Sequence, residues 1–305
     1  MRLHTLNSSA RKMENNSVKS FVSPKYTRDV IRQSLSNTSG HNDAWIVVEA
    51  QEDVDVYSKF KSVGILILTS FSEYIDTQTG AHNEKCSRRF VMDIVREMHA
   101  FRKDCPVIGI CDRDYSSWSG EETPRHIFLT DHRDLEMSML ADQDLRSVLE
   151  VKIPDRGLSL FANAISSARE IGYMRIVNDV LDLGVKFQNA SWKKPSRIWN
   201  QASKAFVPEW RNTTLNAFCG GSGKHFTTLR YSIVKNAMSL ESCDDYDICQ
   251  GHDTMNIWHY MVSSPKKNLI WNLMFQHYNK SMFSRTNLCK SIEQWGACKG
   301  KIVWA

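Results

Sequence analysis

The sequence predicts an α/β protein, a parallel sheet flanked by helices with a mainly helical C-terminal part. Three observations carry that expectation. Short apolar, β-branched runs recur at residues 45–48, 63–68, 107–111 and 127–129, the pattern of strands buried on both faces. Between them, apolar residues recur at three- and four-residue steps, and alternation of strand and helix marks a parallel sheet covered by helices. Beyond residue 150 the strand-like runs give way to helical spacing.

Taken in order, residues 1–40 are rich in Ser, Asn, Lys and Arg and poor in apolar periodicity. They read as an extended or partly disordered N-terminal extension with a short helix over 27–34. A core domain is expected over 41–150 and a helical, basic region over 151–305. The run at 45–48 ends at Glu49, after which Val54, Val56, Tyr57 and Phe60 follow helical spacing. Residues 83–103 read as a helix with Phe90, Ile94, Val95, Met98 and Phe101 on one face. The third strand stops at Asp112. The fourth is followed by a helix-start signal at Thr130 and Asp131, then by apolar Leu135, Met139 and Leu140. In the last region the clearest helices are expected over 158–171 and 253–261, with Trp258, Trp271 and Trp295 in the core.

The 305 residues are 42% hydrophobic and 24% charged, ordinary for a globular protein. The longest apolar run falls well short of the ~20 residues that span a bilayer. The first twenty residues hold no apolar core or small-residue cleavage site, so a cytoplasmic location without membrane attachment is expected. Eight cysteines are scattered without a C-x-x-C pair, and Cys243, Cys249 and His252 come nearest to zinc spacing. Charge is uneven. Residues 1–150 hold 19 Lys and Arg against 23 Asp and Glu, whereas residues 151–305 hold 20 against 11. That asymmetry suggests metal chemistry on one side and attraction to a polyanion on the other.

Ligands of helix-covered parallel sheets gather outside the carboxyl ends of the strands, and Glu49 and Asp112 both follow such ends. Asp112 and Asp114 stand at alternate positions, which on an extended backbone project to one side. They would repel each other unless a cation lies between them, the way hard divalent ions are held. The alternative is a solvated loop with Arg113 as counter-ion. Glu52 and Asp53 fall in the first turn of the helix after Glu49, where acids complement the helix dipole. Asp131 reads as a helix cap and Glu136 as a helix-surface acid, or both as part of a second metal site. In Gly251-His252-Asp253, either the Gly ends one element and Asp253 caps the next, or His252 takes part in chemistry.

These segments together resemble the TOPRIM fold shared by topoisomerases, bacterial-type primases and OLD-family nucleases. Its first motif, a strand ending in Glu-Gly with an acid three residues beyond the Gly, matches Glu49, Ala50 and Asp53, with Ala50 where the motif has glycine. Its second, Asp-x-Asp after a later strand, matches Asp112 and Asp114. The chain is more closely similar to a TOPRIM-like, OLD-related family with two further marks. These are Thr-Asp-x-x-x-x-Glu, here Thr130, Asp131 and Glu136, and Gly-His-Asp, here Gly251, His252 and Asp253.

The resemblance implies an endonuclease that hydrolyses phosphodiester bonds with Mg2+ or Mn2+. Glu49, Asp112 and Asp114 would be catalytic, and Asp53, Asp131 and Glu136 would join them as metal ligands. It also implies a toxic effector of an anti-phage defence system, acting on tRNA or other RNA, with DNA the other candidate. An ABC-type ATPase partner subunit would restrain it, and a homodimer would be its active form. The alternative is a catalytically silent TOPRIM-like sensor or binding subunit of an ATPase complex. Tyr115 is the sole tyrosine beside the second motif, and hydrolysis is expected over strand passage.

Lys204, Arg211, Lys224 and Arg230 are the candidate phosphate contacts of the basic region. Residues 218–225 imitate a phosphate-binding loop. They lack its first glycine, where Phe218 stands, and its final hydroxyl residue, where His225 stands.

Overall fold

The structure, a computed structural model, describes residues 30–33, 36, 44–70, 72–75, 82–85, 88–114, 116–119, 122–153, 157–188, 190–222, 226–262 and 268–305. It is an α/β protein. A four-stranded parallel sheet flanked by helices is followed by a helical C-terminal part. The chain divides into two compact units, residues 1–54 with 64–109, and residues 55–63 with 110–305.

The first unit is built on β1 (Ala44–Val48), all five residues of which are buried. The chain then turns into α1 (Gln51–Tyr57), and Asp53 accepts the Ala50 N–H at 2.9 Å, so an acid in the first turn closes the helix start. β2 (Ile65–Thr69) pairs with β1 in parallel, Ile46 opposite Ile67. β3 (Ser72–Ile75) and β4 (His82–Lys85) form a separate antiparallel hairpin. α2 (Arg88–Phe101) follows, with Val91, Ile94, Val95 and Met98 as its buried stripe. The helix expected from residue 83 therefore starts later, and its first residues are strand. β5 (Val107–Cys111) pairs in parallel with the other side of β1, Ile46 opposite Ile108. Residues 30–33 are helical, Ile31 is fully buried, and the Arg32 guanidinium lies 5.5 Å from the Phe101 ring centre. The remainder of the 1–40 extension lies outside the described residues.

In the second unit, α3 (Ser116–Ser119) and β6 (Ile127–Leu129) come first, and β6 completes the sheet order β2-β1-β5-β6. α4 (Leu135–Leu140) and α5 (Gln143–Lys152) lead to the longest helix, α6 (Gly157–Leu181). α7 (Pro195–Ile198) precedes a two-residue hairpin of β7 (Trp199–Asn200) and β8 (Ala205–Phe206). Then come α8 (Trp210–Gly220), α9 (Thr228–Ala237), α10 (Asp245–Ile248), α11 (Gly251–Val262), α12 (Leu269–His277), α13 (Lys280–Ser284) and α14 (Asn287–Cys298).

α6 and α11 form the axis of this unit, with Phe161 and Trp258 ring centres 4.7 Å apart. Close approach is needed beside them. A Cβ on Gly172 of α6 would stand 2.3 Å from the Ile248 carbonyl oxygen, so only glycine lets α10 lie there. Of the three tryptophans expected in the core, Trp258 is fully buried, while Trp271 and Trp295 are half-buried. Trp304 takes part instead. Its ring lies 5.0 Å from Phe283 and 6.2 Å from Tyr57, and Phe60 stacks on Phe283 at 4.8 Å. Ser62 donates to the Val303 carbonyl at 2.9 Å. These contacts explain why residues 55–63 belong with the C-terminal region, and why the division cuts through 41–150.

Among the described residues, no helix is long and apolar enough to cross a membrane.

Candidate functional site

The acid expected at each strand end is in place. β1 ends at Val48 and is followed by half-buried Glu49, whose carbonyl accepts from the Ser70 hydroxyl at 3.4 Å. β5 ends at Cys111 and is followed by half-buried Asp112, Arg113 and Asp114. Glu49 belongs to the first unit, Asp112 and Asp114 to the second.

Ala50 has no positive φ. The turn after Glu49 therefore does not require the left-handed freedom of glycine, and alanine satisfies it. Asp53 is engaged with the Ala50 N–H. Its part is the helix start.

The Asp-x-Asp segment departs from the extended form expected of it. Asp114 has φ 46°, in the left-handed region, and its N–H donates to the Arg133 carbonyl at 2.8 Å. Strand alternation therefore stops before Asp114, and its side chain does not follow from the pleat. The segment is instead tied to the loop after β6. The Arg113 N–H donates to Thr130 Oγ1 at 2.9 Å, and Arg113 Nε donates to the Thr130 carbonyl at 3.1 Å. Asp112 Oδ1 accepts the Leu135 N–H at 3.2 Å, so this carboxylate sits at the start of α4.

The helix start expected at Thr130 and Asp131 falls later. Asp134 is the N-cap of α4 and accepts the Met137 N–H at 2.9 Å. Thr130 is buried and its hydroxyl donates to the His132 carbonyl at 2.7 Å. Asp131 caps a different helix: its two oxygens accept the Asn287 and Leu288 N–H groups of α14, both at 2.7 Å. With both oxygens so used, Asp131 acts as a structural cap rather than a metal ligand.

Two segments far apart in sequence meet here. Asp134 Oδ2 accepts the Gly251 N–H at 2.7 Å. A Cβ on Gly251 would stand 2.5 Å from Glu136 Cβ and 2.7 Å from Asp134 Oδ1, so glycine is required for the approach. Glu136 Oε1 lies 3.1 Å from His252 Nδ1. Glu136 is nearly buried at 12% side-chain exposure, while His252 is 75% exposed. Glu136 thus serves His252 rather than the solvated helix face expected of it. Asp253 does not cap α11. It is buried within the first turn and paired with Arg175 at 2.8 Å and Lys193 at 3.0 Å.

Four groups that no local sequence signal marks hold this cluster: Arg133, Asp134, Arg175 and Lys193. Arg133 is only 2% exposed and donates to the Ile248 carbonyl at 2.6 Å. Burial pushes its guanidinium down to about 10, against the pull of Asp134, Asp114 and Asp253. Burial, then the charge of Glu136, pushes the Asp134 carboxyl up to about 7. Burial alone would also raise Asp253, but Arg175 and Lys193 outweigh it and hold that carboxyl below its usual range. The paired acids of this cluster are thus driven in opposite directions, one towards the neutral form and one held ionised.

Of the candidate phosphate contacts, Lys204 is exposed at the β7–β8 turn with φ 50°. Arg211, in the first turn of α8, bonds Ser166 Oγ at 3.3 Å and lies 3.9 Å from Glu170. The Arg230 guanidinium lies 5.8 Å from the Phe226 ring centre. The three stand on separate elements, and Lys224 lies outside the described residues, as does Tyr115. Phe218 is fully buried and Gly220 is helical, so residues 218–220 are not a phosphate cradle.

Among the described residues, no group of three or more His, Cys, Asp or Glu is arranged to hold a metal ion. The donor chemistry of Glu49, Asp112 and Asp114 nonetheless suits Mg2+ or Mn2+. Such ions prefer carboxylate oxygen, and Mg2+ keeps several waters while binding through one or two carboxylates and substrate phosphate. A pair of carboxylates in a three-residue loop meets that need.

No protein-family model matches the chain, and no curated protein matches it.

Proposed function

We propose that the chain is a metal-dependent phosphodiester hydrolase of TOPRIM type, acting on nucleic acid through Glu49, Asp112 and Asp114. The observation that carries this reading is one of topology. β1 and β5 are parallel neighbours, and each runs directly into a carboxylate, at the end of the sheet where ligands of such folds gather. The turn at Ala50, which needs no glycine, removes a backbone objection to it. A bound Mg2+ or Mn2+ would polarise the scissile phosphate and activate an attacking water. The protein's own part is to hold hard oxygen ligands in place: Asp112 is fixed by the Leu135 N–H, and its loop by Thr130 and Arg133.

The substrate belonging to this reading is RNA, tRNA in the first place, and the setting is a cytoplasmic toxic effector of anti-phage defence held by an ABC-type ATPase subunit. The net positive charge of residues 151–305 supports a polyanionic substrate. Purified protein incubated with labelled tRNA and DNA, with Mg2+ or Mn2+ and then with EDTA, tests it. Metal-dependent cleavage lost in Glu49→Ala and Asp112→Asn is expected. Absence of metal-dependent cleavage in every condition, with and without the ATPase partner, overturns it in favour of a silent binding subunit.

A further inference from the structure

His252 is an exposed side chain on an unusually constrained stretch of backbone. On one side Gly251 is buried, its N–H held by Asp134 Oδ2 at 2.7 Å. On the other, Asp253 is buried and held by Arg175 and Lys193. The ring itself is held at Nδ1, 3.1 Å from the Glu136 carboxylate, which is 12% exposed. A pair with one partner three-quarters exposed contributes at most about 1 kcal/mol to folding. Stability therefore does not account for a side chain fixed at four points and turned to solvent.

We infer that His252 is the proton donor to the leaving oxygen in phosphodiester hydrolysis, with Glu136 as its positioning residue; the assignment rests on the hydrolase reading above. The first turn of α4 joins the two parts. Leu135 donates its N–H to Asp112, and Glu136, the next residue, holds His252. An imidazole held at Nδ1 by a carboxylate presents Nε2 as the proton-carrying atom, the arrangement that orients a general acid. The positive end of α11, in whose first turn His252 lies, favours release of that proton.

The step balances without a further reactant. Water oxygen bonds to phosphorus and its surplus proton passes to solvent. The bond from phosphorus to the sugar oxygen breaks, and that oxygen takes the proton from His252 Nε2. His252 is then reprotonated from solvent.

Leaving-group dependence tests this. Wild type, His252→Gln, Glu136→Gln and Glu136→Ala are assayed with Mn2+ on labelled tRNA and on bis(p-nitrophenyl) phosphate, whose leaving group needs no proton. For His252→Gln the expected result is a loss of about 100-fold or more in kcat on tRNA, with KM unchanged, the range of general acid catalysis. On the activated diester the loss should be under about 3-fold. Glu136→Gln should retain more of the tRNA rate than Glu136→Ala, since glutamine can still accept from Nδ1. Circular dichroism checks folding. Equal losses on both substrates, or none on either, overturn the assignment while leaving the hydrolase reading intact. Wild type that cleaves neither substrate overturns the hydrolase reading and this assignment with it.

Discussion

Asp134 and Gly251 are 117 residues apart in sequence and joined by a 2.7 Å hydrogen bond, so that one buried carboxylate starts two helices. Its other oxygen takes the Met137 N–H at the start of α4. Burial and Glu136 raise this carboxyl to about 7, well above its value in an unfolded chain. A raised folded-state pKa means that the folded protein binds the proton more tightly than the unfolded chain. The associated stability is complete below the ordinary carboxylate range and is lost as pH rises towards about 7. Urea denaturation across that window should show this contribution shrinking with pH, and Asp134→Asn should remove the slope. At about pH 5 the Asn variant should also lose about 1–3 kcal/mol, because an amide has one acceptor for two N–H groups. An unchanged slope in Asp134→Asn defeats the assignment.

Gly251→Ala tests the same junction by volume. The added Cβ would stand 2.5 Å from Glu136 Cβ and 2.7 Å from Asp134 Oδ1. Neither is the far end of a flexible chain, since Asp134 is pinned by two N–H groups. Overpacking of this kind costs typically 1–3 kcal/mol. A midpoint shift of that size in chemical denaturation is expected, whereas Gly184→Ala, at φ 72° but with open space around it, should act through backbone strain alone.

Asp253 gives the opposite pH response. Arg175 and Lys193 hold it ionised, with a folded-state pKa below its usual range. Its contribution is therefore present above the ordinary carboxylate range and lost as pH falls through the lowered value. Arg175→Met leaves a buried carboxylate with one partner fewer, and breaking a buried pair costs about 3–5 kcal/mol. Arg175 and Lys193 retain 16% and 21% exposure, so the lower part of that range is expected. The double change Arg175→Met with Asp253→Asn should recover part of the loss; a strictly additive loss would show that the two residues are not coupled.

The outlines of these elements were legible where the chain is uniform over several residues. β1 and β5 are unbroken apolar runs buried at every position. α2 keeps its stripe of Val91, Ile94, Val95 and Met98. The β3–β4 hairpin was not legible, because His82–Lys85 is polar throughout and carries no alternation to set it apart from a helix start. The cap of α4 was misplaced because Asp131 and Asp134 both precede Leu135, and only a contact with α14 distinguishes them. The site was legible as residue types at strand ends. What holds it was not: Arg133, Arg175 and Lys193 are charged residues that read as solvated surface until distant segments fold over them.

The last 3 residues test the composition of the second unit. Trp304 is nearly buried, packs edge-on to Phe283, and belongs to a short ladder in which Ala305 donates to the Phe60 carbonyl at 2.8 Å. Trp304→Ala should cost about 3–5 kcal/mol, the range for emptying a large aromatic site. Asn279→Ala removes a cap on α13, whose oxygen accepts the Met282 N–H at 3.2 Å, and should cost about 1 kcal/mol. The comparison separates packing from capping, and near-equal losses would show that the Trp304 ring contributes little.

Metal binding can be checked apart from activity. A ligand that binds only the folded chain stabilises it in proportion to the logarithm of its concentration over Kd. Mn2+ should therefore raise the melting temperature, and EDTA should reverse the rise. Asp112→Asn keeps the oxygen that accepts the Leu135 N–H but loses a charge, so the fold should survive while the Mn2+-dependent shift shrinks. Asp131→Asn is the contrast. Both oxygens of Asp131 are used on α14, so that variant should melt lower without metal and still respond to Mn2+. If the Mn2+ shift is the same in Asp112→Asn as in the wild type, the carboxylates after β5 do not hold the ion.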